Sequence, residues 1–290
     1  MEREMDRWLQ SICCLLLCSS GIVANPADDA LLEEKAFSKL HQLEGDQASE
    51  VSGTEVQVGS TRGYLSLPKT RQTTRSAVIL FHEYWGLNPN IKHWADRLAR
   101  EGHAALAIDL YGGKIAKNAR EAMTLMRGVQ QNVAAKTIAD ALRFVHRDER
   151  IDAERVGSIG WSFGGTWALN AAMHHPGIDA CVVYYGKTTS DLEKLSGVGG
   201  AVLGIFGKND PSIPQQQVDS FRSALEKSKI RHQIHTFEAG HAFANPSGSR
   251  YVAEAAMESW IRVRQFLASE LQPKKPPEKS SNKEKKVESQ

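Results

Sequence analysis

The feature that most constrains this chain is a series of short apolar runs separated by segments of helical period. Ala77-Val78-Ile79-Leu80-Phe81 and Ala104 to Ile108 contain no polar residue. A strand with one wet face alternates apolar and polar residues, so an unbroken run calls for a strand covered on both faces. Further strands are expected at Val156 to Ile159, Cys181 to Tyr184, Ala201 to Phe206 and His232 to Phe237. Apolar residues at helical spacing fill the gaps at Ile91 to Arg100, Ala116 to Gly128, Ala134 to His146, Gly164 to Met173, Pro214 to Ser228 and Arg250 to Leu271. Ahead of them, Glu55 to Val58 and Tyr64 to Leu67 flank Gly59, Ser60 and Gly63, which predicts a hairpin. This order predicts an α/β fold with a mostly parallel central sheet of about eight strands and helices on both faces. Ligands of such sheets bind beyond the carboxyl ends of the strands, so the loops there are the places to look for chemistry.

The expected domain runs from residue 51 to 271, after an N-terminal helix within 25–50 whose apolar positions are Leu32, Ala36, Phe37, Leu40 and Leu43. Residues 1–24 read as a signal peptide. No charge occurs from Trp8 to Ala27, the apolar centre Ile12 to Cys18 is too short to span a bilayer, and Ile22-Val23-Ala24 suits cleavage. Export to the periplasm or the medium is the expectation. A minority reading takes Leu15-Leu16-Leu17-Cys18 as a lipoprotein box with a lipid anchor on Cys18. Residues 272–290 are rich in Lys, Pro, Glu and Ser and are expected to be disordered. With a net charge of +2, nothing points to nucleic acid. The body holds one cysteine, Cys181, in an apolar stretch, which leaves neither a disulfide framework nor a Cys-rich zinc site, and predicts a buried core thiol. The oligomeric state is not legible.

The strand ends carry a connected set of polar residues. Gly160-Trp161-Ser162-Phe163-Gly164-Gly165 is G-x-S-x-G between an expected strand and an expected helix, the setting in which a tight turn presents a serine nucleophile. Asp210 follows the strand ending at Phe206, and His241 follows the strand ending at Phe237. The order Ser, Asp, His matches the hydrolase triads of such sheets. The histidine takes the serine proton and later gives it to the leaving group, while the aspartate fixes the imidazole tautomer. The other reading of Asp210 is a turn residue beside Pro211, and that of the glycines is a structural turn. Histidines 82, 93, 103, 146, 174, 175, 232 and 235 read as surface or packing residues. The loop His82-Glu83-Tyr84-Trp85-Gly86 follows the first buried strand, where one oxyanion-hole N–H arises. Tyr84 and Phe163 are the expected donors. Glu83, Trp85, Trp161, Phe243 and Asn245 are the expected pocket residues, while Trp167, on a helix, reads as core.

His82 to Asn88, Asp109-Leu110-Tyr111-Gly112-Gly113, Gly160 to Gly165 and His241-Ala242-Phe243-Ala244-Asn245 together resemble the dienelactone hydrolase family over roughly Thr54 to Leu271. The resemblance implies an α/β-hydrolase fold, hydrolysis of a small-molecule ester or lactone, and no metal or organic cofactor. Two departures stand out. Members acting on dienelactone use a cysteine nucleophile, which a glutamate matching Glu83 contacts at rest, whereas this chain has Ser162. Those members also bind the substrate carboxylate through arginines, one of which follows the His-x-Phe-Ala segment where this chain has Asn245. An amide cannot make the charge-assisted fork of an arginine. The expectation is a general serine esterase rather than a true dienelactonase. The rivals are an acyltransferase or peptidase on the same triad and a non-catalytic envelope binding protein that kept the fold.

Overall fold

The computed structural model describes residues 26–41, 50–69 and 75–272. The expected signal peptide, Cys18 and nearly all of the expected tail lie outside these residues. The chain begins with α1 (Pro26–Lys39), followed by the hairpin of β1 (Thr54–Val58) and β2 (Thr61–Ser66). There follow β3 (Ser76–Phe81), α2 (Pro89–Arg100), β4 (Ala104–Ile108), α3 (Ala119–Arg127) and α4 (Gln131–Arg147). The second half runs β5 (Arg155–Trp161), α5 (Phe163–His174), β6 (Ala180–Tyr184), α6 (Leu192–Leu195), β7 (Ala201–Gly207), α7 (Gln215–Lys227), β8 (His232–Phe237) and α8 (Ala253–Glu270).

The eight strands form one sheet in the order β1-β2-β4-β3-β5-β6-β7-β8. β2 pairs antiparallel with both β1 and β4, and every pair from β4 through β8 is parallel. This is the α/β-hydrolase arrangement. The apolar runs divide by alternation. Ala77, Ile79 and Phe81 face one side with α4, α5 and α7, whereas Val78 and Leu80 face the other with α1, α2 and α8. Every residue of β3, β4, β6 and β7 is buried. Each large aliphatic side chain so covered stabilises the fold by about 1.5–3 kcal/mol. Cys181 on β6 is a buried free thiol, as expected, and burial pushes its pKa up to about 12.

Several local features differ from the sequence expectation. β2 starts at Thr61 rather than Tyr64, so Gly63 lies inside the strand, opposite Val56 and Ile108, and the turn is left to Gly59 and Ser60. The helix expected from Ala116 starts at Ala119, because the Asn118 side chain accepts from Glu121 N and caps it there. The final helix starts at Ala253 rather than Arg250. Gly248 to Val252 form a turn in which Tyr251 N donates to Gly248 O (3.2 Å) and Val252 N to Phe243 O (2.9 Å). Arg250 is thereby held in a loop. The four-residue α6, capped by Asp191, is too short for periodicity to reveal.

Candidate active site

One residue, Ser162, separates β5 from α5, with φ 53° and ψ −115°. A non-glycine residue in such a conformation costs on the order of 1–3 kcal/mol and persists only where its surroundings over-determine it. Here Ser162 N donates to Tyr184 O on β6 (2.9 Å), and Ser162 O accepts from Thr166 N in the first turn of α5 (3.2 Å). The neighbouring glycines permit the close approach this requires. A Cβ on Gly160 would collide with the Gly164 carbonyl, and one on Gly164 with the carbonyls of Phe81 and His82. The turn aims the serine hydroxyl out of the sheet beside the N-terminus of α5, where the helix dipole favours negative charge. As the first helical residue, Phe163 has no intrahelical acceptor for its N–H.

The loops after β7 and β8 are tied together. Lys208 N donates to Phe237 O (2.8 Å) and Asn209 N to Ala239 O (3.0 Å). This fixes Asp210 against His241. Asp210 is buried, and its Oδ1 accepts from Ser212 N (2.7 Å) and Ile213 N (3.2 Å). Its Oδ2 lies 2.7 Å from His241 Nδ1, and His241 Nε2 lies 2.8 Å from Ser162 Oγ. Asp210 is therefore a turn aspartate and a histidine partner at once, each role using one oxygen. The His241 ring packs on Tyr185, with centroids 5.3 Å apart.

The loop after β3 is braced from beneath by His82. This buried imidazole donates from Nδ1 to Glu83 O (2.6 Å) and accepts at Nε2 from Leu110 N (3.1 Å), an arrangement that requires the neutral ring. Burial lowers its pKa accordingly. Tyr111 packs on His82 and donates its hydroxyl to Tyr84 O (3.2 Å). The Asp109 carboxylate accepts from the backbone N–H groups of Tyr111 and Gly113. The Asp109 to Gly113 segment thus supports Tyr84.

Ser162 and His241 line two adjoining cavities. The larger, about 860 Å³, is walled by Met123 and Met126 of α3, Val129, Phe163, Trp167 and Ile213, with Arg127 and Lys187 exposed at its edge. The smaller, about 390 Å³, is walled by Glu83, Trp85, Asn245, Ser249 and Arg250. Tyr84 and Arg250 touch both. Glu83 is buried, and burial lifts its carboxyl to about 7 against the lowering effects of an Asn245 Nδ2 hydrogen bond (2.5 Å) and the Arg250 charge. Among the described residues, no cluster of three or more His, Cys, Asp or Glu is placed to hold a metal.

The structure thus brings together Ser162, Asp210, His241, Tyr84, Phe163, Glu83, Trp85 and Asn245. It does not bring Trp161 or Phe243 to the cavities. Trp161 ends β5 with its ring on the α2 and α8 side of the sheet, stacked on Tyr184 and tilted on Trp94, and is 1% exposed. Phe243 is fully buried between Tyr185 and Phe237. Both are core residues, because alternation and the turn beyond His241 point them inward. Trp167 is buried as expected and also forms cavity wall. Sequence reasoning missed Arg250, absorbed into a helix that begins three residues later, and Met123, Met126 and Tyr185. Gly248-Ser249 was the available sign of a loop before Arg250.

The model of the dienelactone hydrolase family matches residues 61–271. A Saccharolobus solfataricus protein named "Putative carboxymethylenebutenolidase" is 30% identical over 246 residues, covering 71% of this chain and 93% of its own. A Salmonella typhimurium protein of the same name is 28% identical, covering 80% of this chain and 92% of its own. Among solved structures, the "Putative Dienelactone Hydrolase" of Klebsiella pneumoniae superposes with a TM-score of 0.67 at 25% identity, covering 76% of this chain and 99% of that one. The chain belongs to the dienelactone hydrolase family and is a hydrolase.

Proposed function

We propose that the protein cleaves a carboxylic ester or lactone through an acyl-serine intermediate on Ser162. The observation that carries this reading is the continuous hydrogen-bonded line from Asp210 through His241 to Ser162 Oγ, opening on two cavities. His241 Nε2 takes the hydroxyl proton as Oγ attacks the carbonyl carbon. The tetrahedral oxyanion is met by the N–H groups of Phe163 and Tyr84, a contribution worth about a hundredfold or more in rate per donor. The imidazolium, stabilised by Asp210, gives its proton to the leaving alkoxide, and the alcohol departs. Water then attacks the acyl-serine with His241 again as base. The free acid leaves and Ser162 is restored.

Serine fits this chemistry only with a base in contact, since its hydroxyl is a poor nucleophile at neutral pH. The Ser162–His241 distance of 2.8 Å supplies one. The test is labelling of the purified protein by a fluorophosphonate probe together with hydrolysis of p-nitrophenyl acetate. Both are expected for the native chain and lost in Ser162→Ala without loss of folding. Labelling that survives Ser162→Ala sinks the assignment of the nucleophile, and neither labelling nor hydrolysis by the native chain sinks the reading.

A further inference from the structure

The two cavities differ in kind, and both border Ser162 and His241. A scissile carbonyl on Ser162 therefore has its two halves sorted by the walls around it. The larger wall is built mainly of thioether, aromatic and aliphatic side chains, with Gln131, Thr166, Asn170 and Ser212 among them and its charged members, Arg127, Lys187 and the shared Arg250, exposed. Met123 and Met126 are unbranched and adapt to irregular apolar shapes. The smaller cavity has less than half the volume, and beside Tyr84, Trp85 and Ala242 its wall carries groups that donate and accept. Asn245 and Ser249 are neutral, Glu83 lies buried in it, and Arg250 stands exposed at its rim.

We infer that the substrate pairs a large apolar half, seated against Met123, Met126 and Trp167, with a small, uncharged, hydroxyl- or amide-bearing half seated against Glu83 and Asn245. The inference rests on the esterase reading above and narrows it. The argument for an uncharged small half lies in the charges already present. The field of Arg250 acts on Glu83, so the positive charge at the rim faces a resident carboxylate. An incoming carboxylate would share that small space with Glu83, and like charges at such distances oppose each other. Asn245, bonded to the Glu83 carboxylate through Nδ2, offers an amide oxygen but no cation. A hydroxyl or amide can donate to Glu83 and accept at the rim without that penalty.

The experiment uses the full chain and two matched series of esters. One has a phenylbutanoyl acid half and the other a phenylbutyl alcohol half. In each, the small half ends in a hydroxyl, a carboxylate or a methyl group, and an acetyl or methyl ester replaces the large half as control. In the better series, kcat/KM is expected to rise about threefold to fourfold per methylene of the apolar half. The hydroxyl-ended ester should exceed the carboxylate-ended one about tenfold at pH 8. Glu83→Gln should narrow that gap, and Met126→Trp should lower the phenylbutanoyl ester more than the acetyl ester. A preference for the carboxylate-ended ester, or rates indifferent to the length of the apolar half, overturns the inference. Labelling of Ser162 with no hydrolysis in either series overturns it while leaving the nucleophile intact. Failure of labelling strikes the esterase reading instead. The native enzyme alone decides the substrate question if a variant fails to fold.

Discussion

Two polar chains run through this molecule, one among the helices that cover one face of its sheet and the other beyond the carboxyl ends of its strands. Tyr251 Oη donates to Glu34 Oε1 (2.7 Å), and Glu34 Oε2 pairs with Arg97 Nη2 (2.8 Å). Asp210, His241 and Ser162 are joined by contacts of 2.7 and 2.8 Å. In spacing the two are nearly alike. They differ in what closes their ends. The Arg97 guanidinium lies between the rings of Phe37 (4.2 Å) and Trp260 (4.4 Å), and both Glu34 and Arg97 are 2% exposed or less. The second chain ends in a hydroxyl on the wall of two cavities. A buried, paired charge is thus as much the mark of a structural clamp as of a reaction centre. Access and, on the proposed function, a nucleophile at the open end separate the two. The comparison predicts that damage to the first chain is read in stability and damage to the second in turnover.

The largest expected effect is in the open chain. Asp210→Asn keeps the shape and the Oδ1 contacts but offers His241 the wrong tautomer. A kcat loss of about ten-thousandfold is expected, with a melting temperature close to that of the native chain. A loss under tenfold would mean that Asp210 serves the turn rather than the histidine. In the closed chain, Glu34→Ala leaves Arg97 between two rings with only its longer contact to the partly exposed Glu33 (3.3 Å), and should cost about 3 kcal/mol in urea denaturation. The kcat of the folded fraction should stay within about twofold. A stability change under about 1 kcal/mol would show that the pair is no clamp.

Glu83 sharpens the comparison because it belongs to the site yet carries a stability cost. Its carboxyl is lifted from 4.5 to about 7 by burial, against Asn245 and Arg250. The folded state therefore holds its proton where the unfolded chain has released it. Stability from this group is full below about pH 4.5, falls as pH rises to about 7, and is flat above. At about 1.4 kcal/mol per pH unit, the fall is on the order of 3 kcal/mol. Glu83→Gln, which keeps an acceptor for Asn245, should be more stable than the native chain by up to about that amount at pH 8 and equal to it near pH 4. Equal stability at both values would remove the strained carboxylate from the account.

The succession of strands and helices along the chain, and the fall of Ser162, Asp210 and His241 just past strand ends, were legible because each depends on local pattern, whereas the crossing of β3 and β4 in the sheet was not. Unbroken apolar runs demand a doubly covered strand, and each polar residue falls just past a strand end. What was illegible depends on contacts distant in sequence. Trp161 and Phe243 flank the motifs, but whether a flanking aromatic faces a cavity or the core depends on the facing of β5 and on the turn at Ala242, with φ 63°. Arg250 sat inside an apparent helical period, and the Tyr251–Gly248 and Val252–Phe243 backbone bonds hold it in a loop ahead of α8. The Glu34–Arg97 pair joins α1 to α2, residues 63 apart in the chain and on helices whose periodicity says nothing of their partners.

The smallest predicted effect falls where the closed chain comes closest to the cavities, at Tyr251 beside Arg250. Glu34 on α1, ahead of the family-matched residues, holds the Tyr251 hydroxyl, and His41 Nδ1 lies 3.3 Å from Ser247 Oγ, just before that turn. Tyr251→Phe keeps the ring and removes one hydroxyl, leaving a buried carboxylate oxygen short of a partner. The expected loss is about 1–2 kcal/mol by urea denaturation. Because the turn also carries Arg250, a KM rise of about twofold for the ester substrate with kcat unchanged should accompany it, and the KM change should vanish in an Arg250→Ala background. A drop in kcat instead would mean that the closed chain reaches the serine, and that the division between clamp and reaction centre is less sharp than their burial indicates.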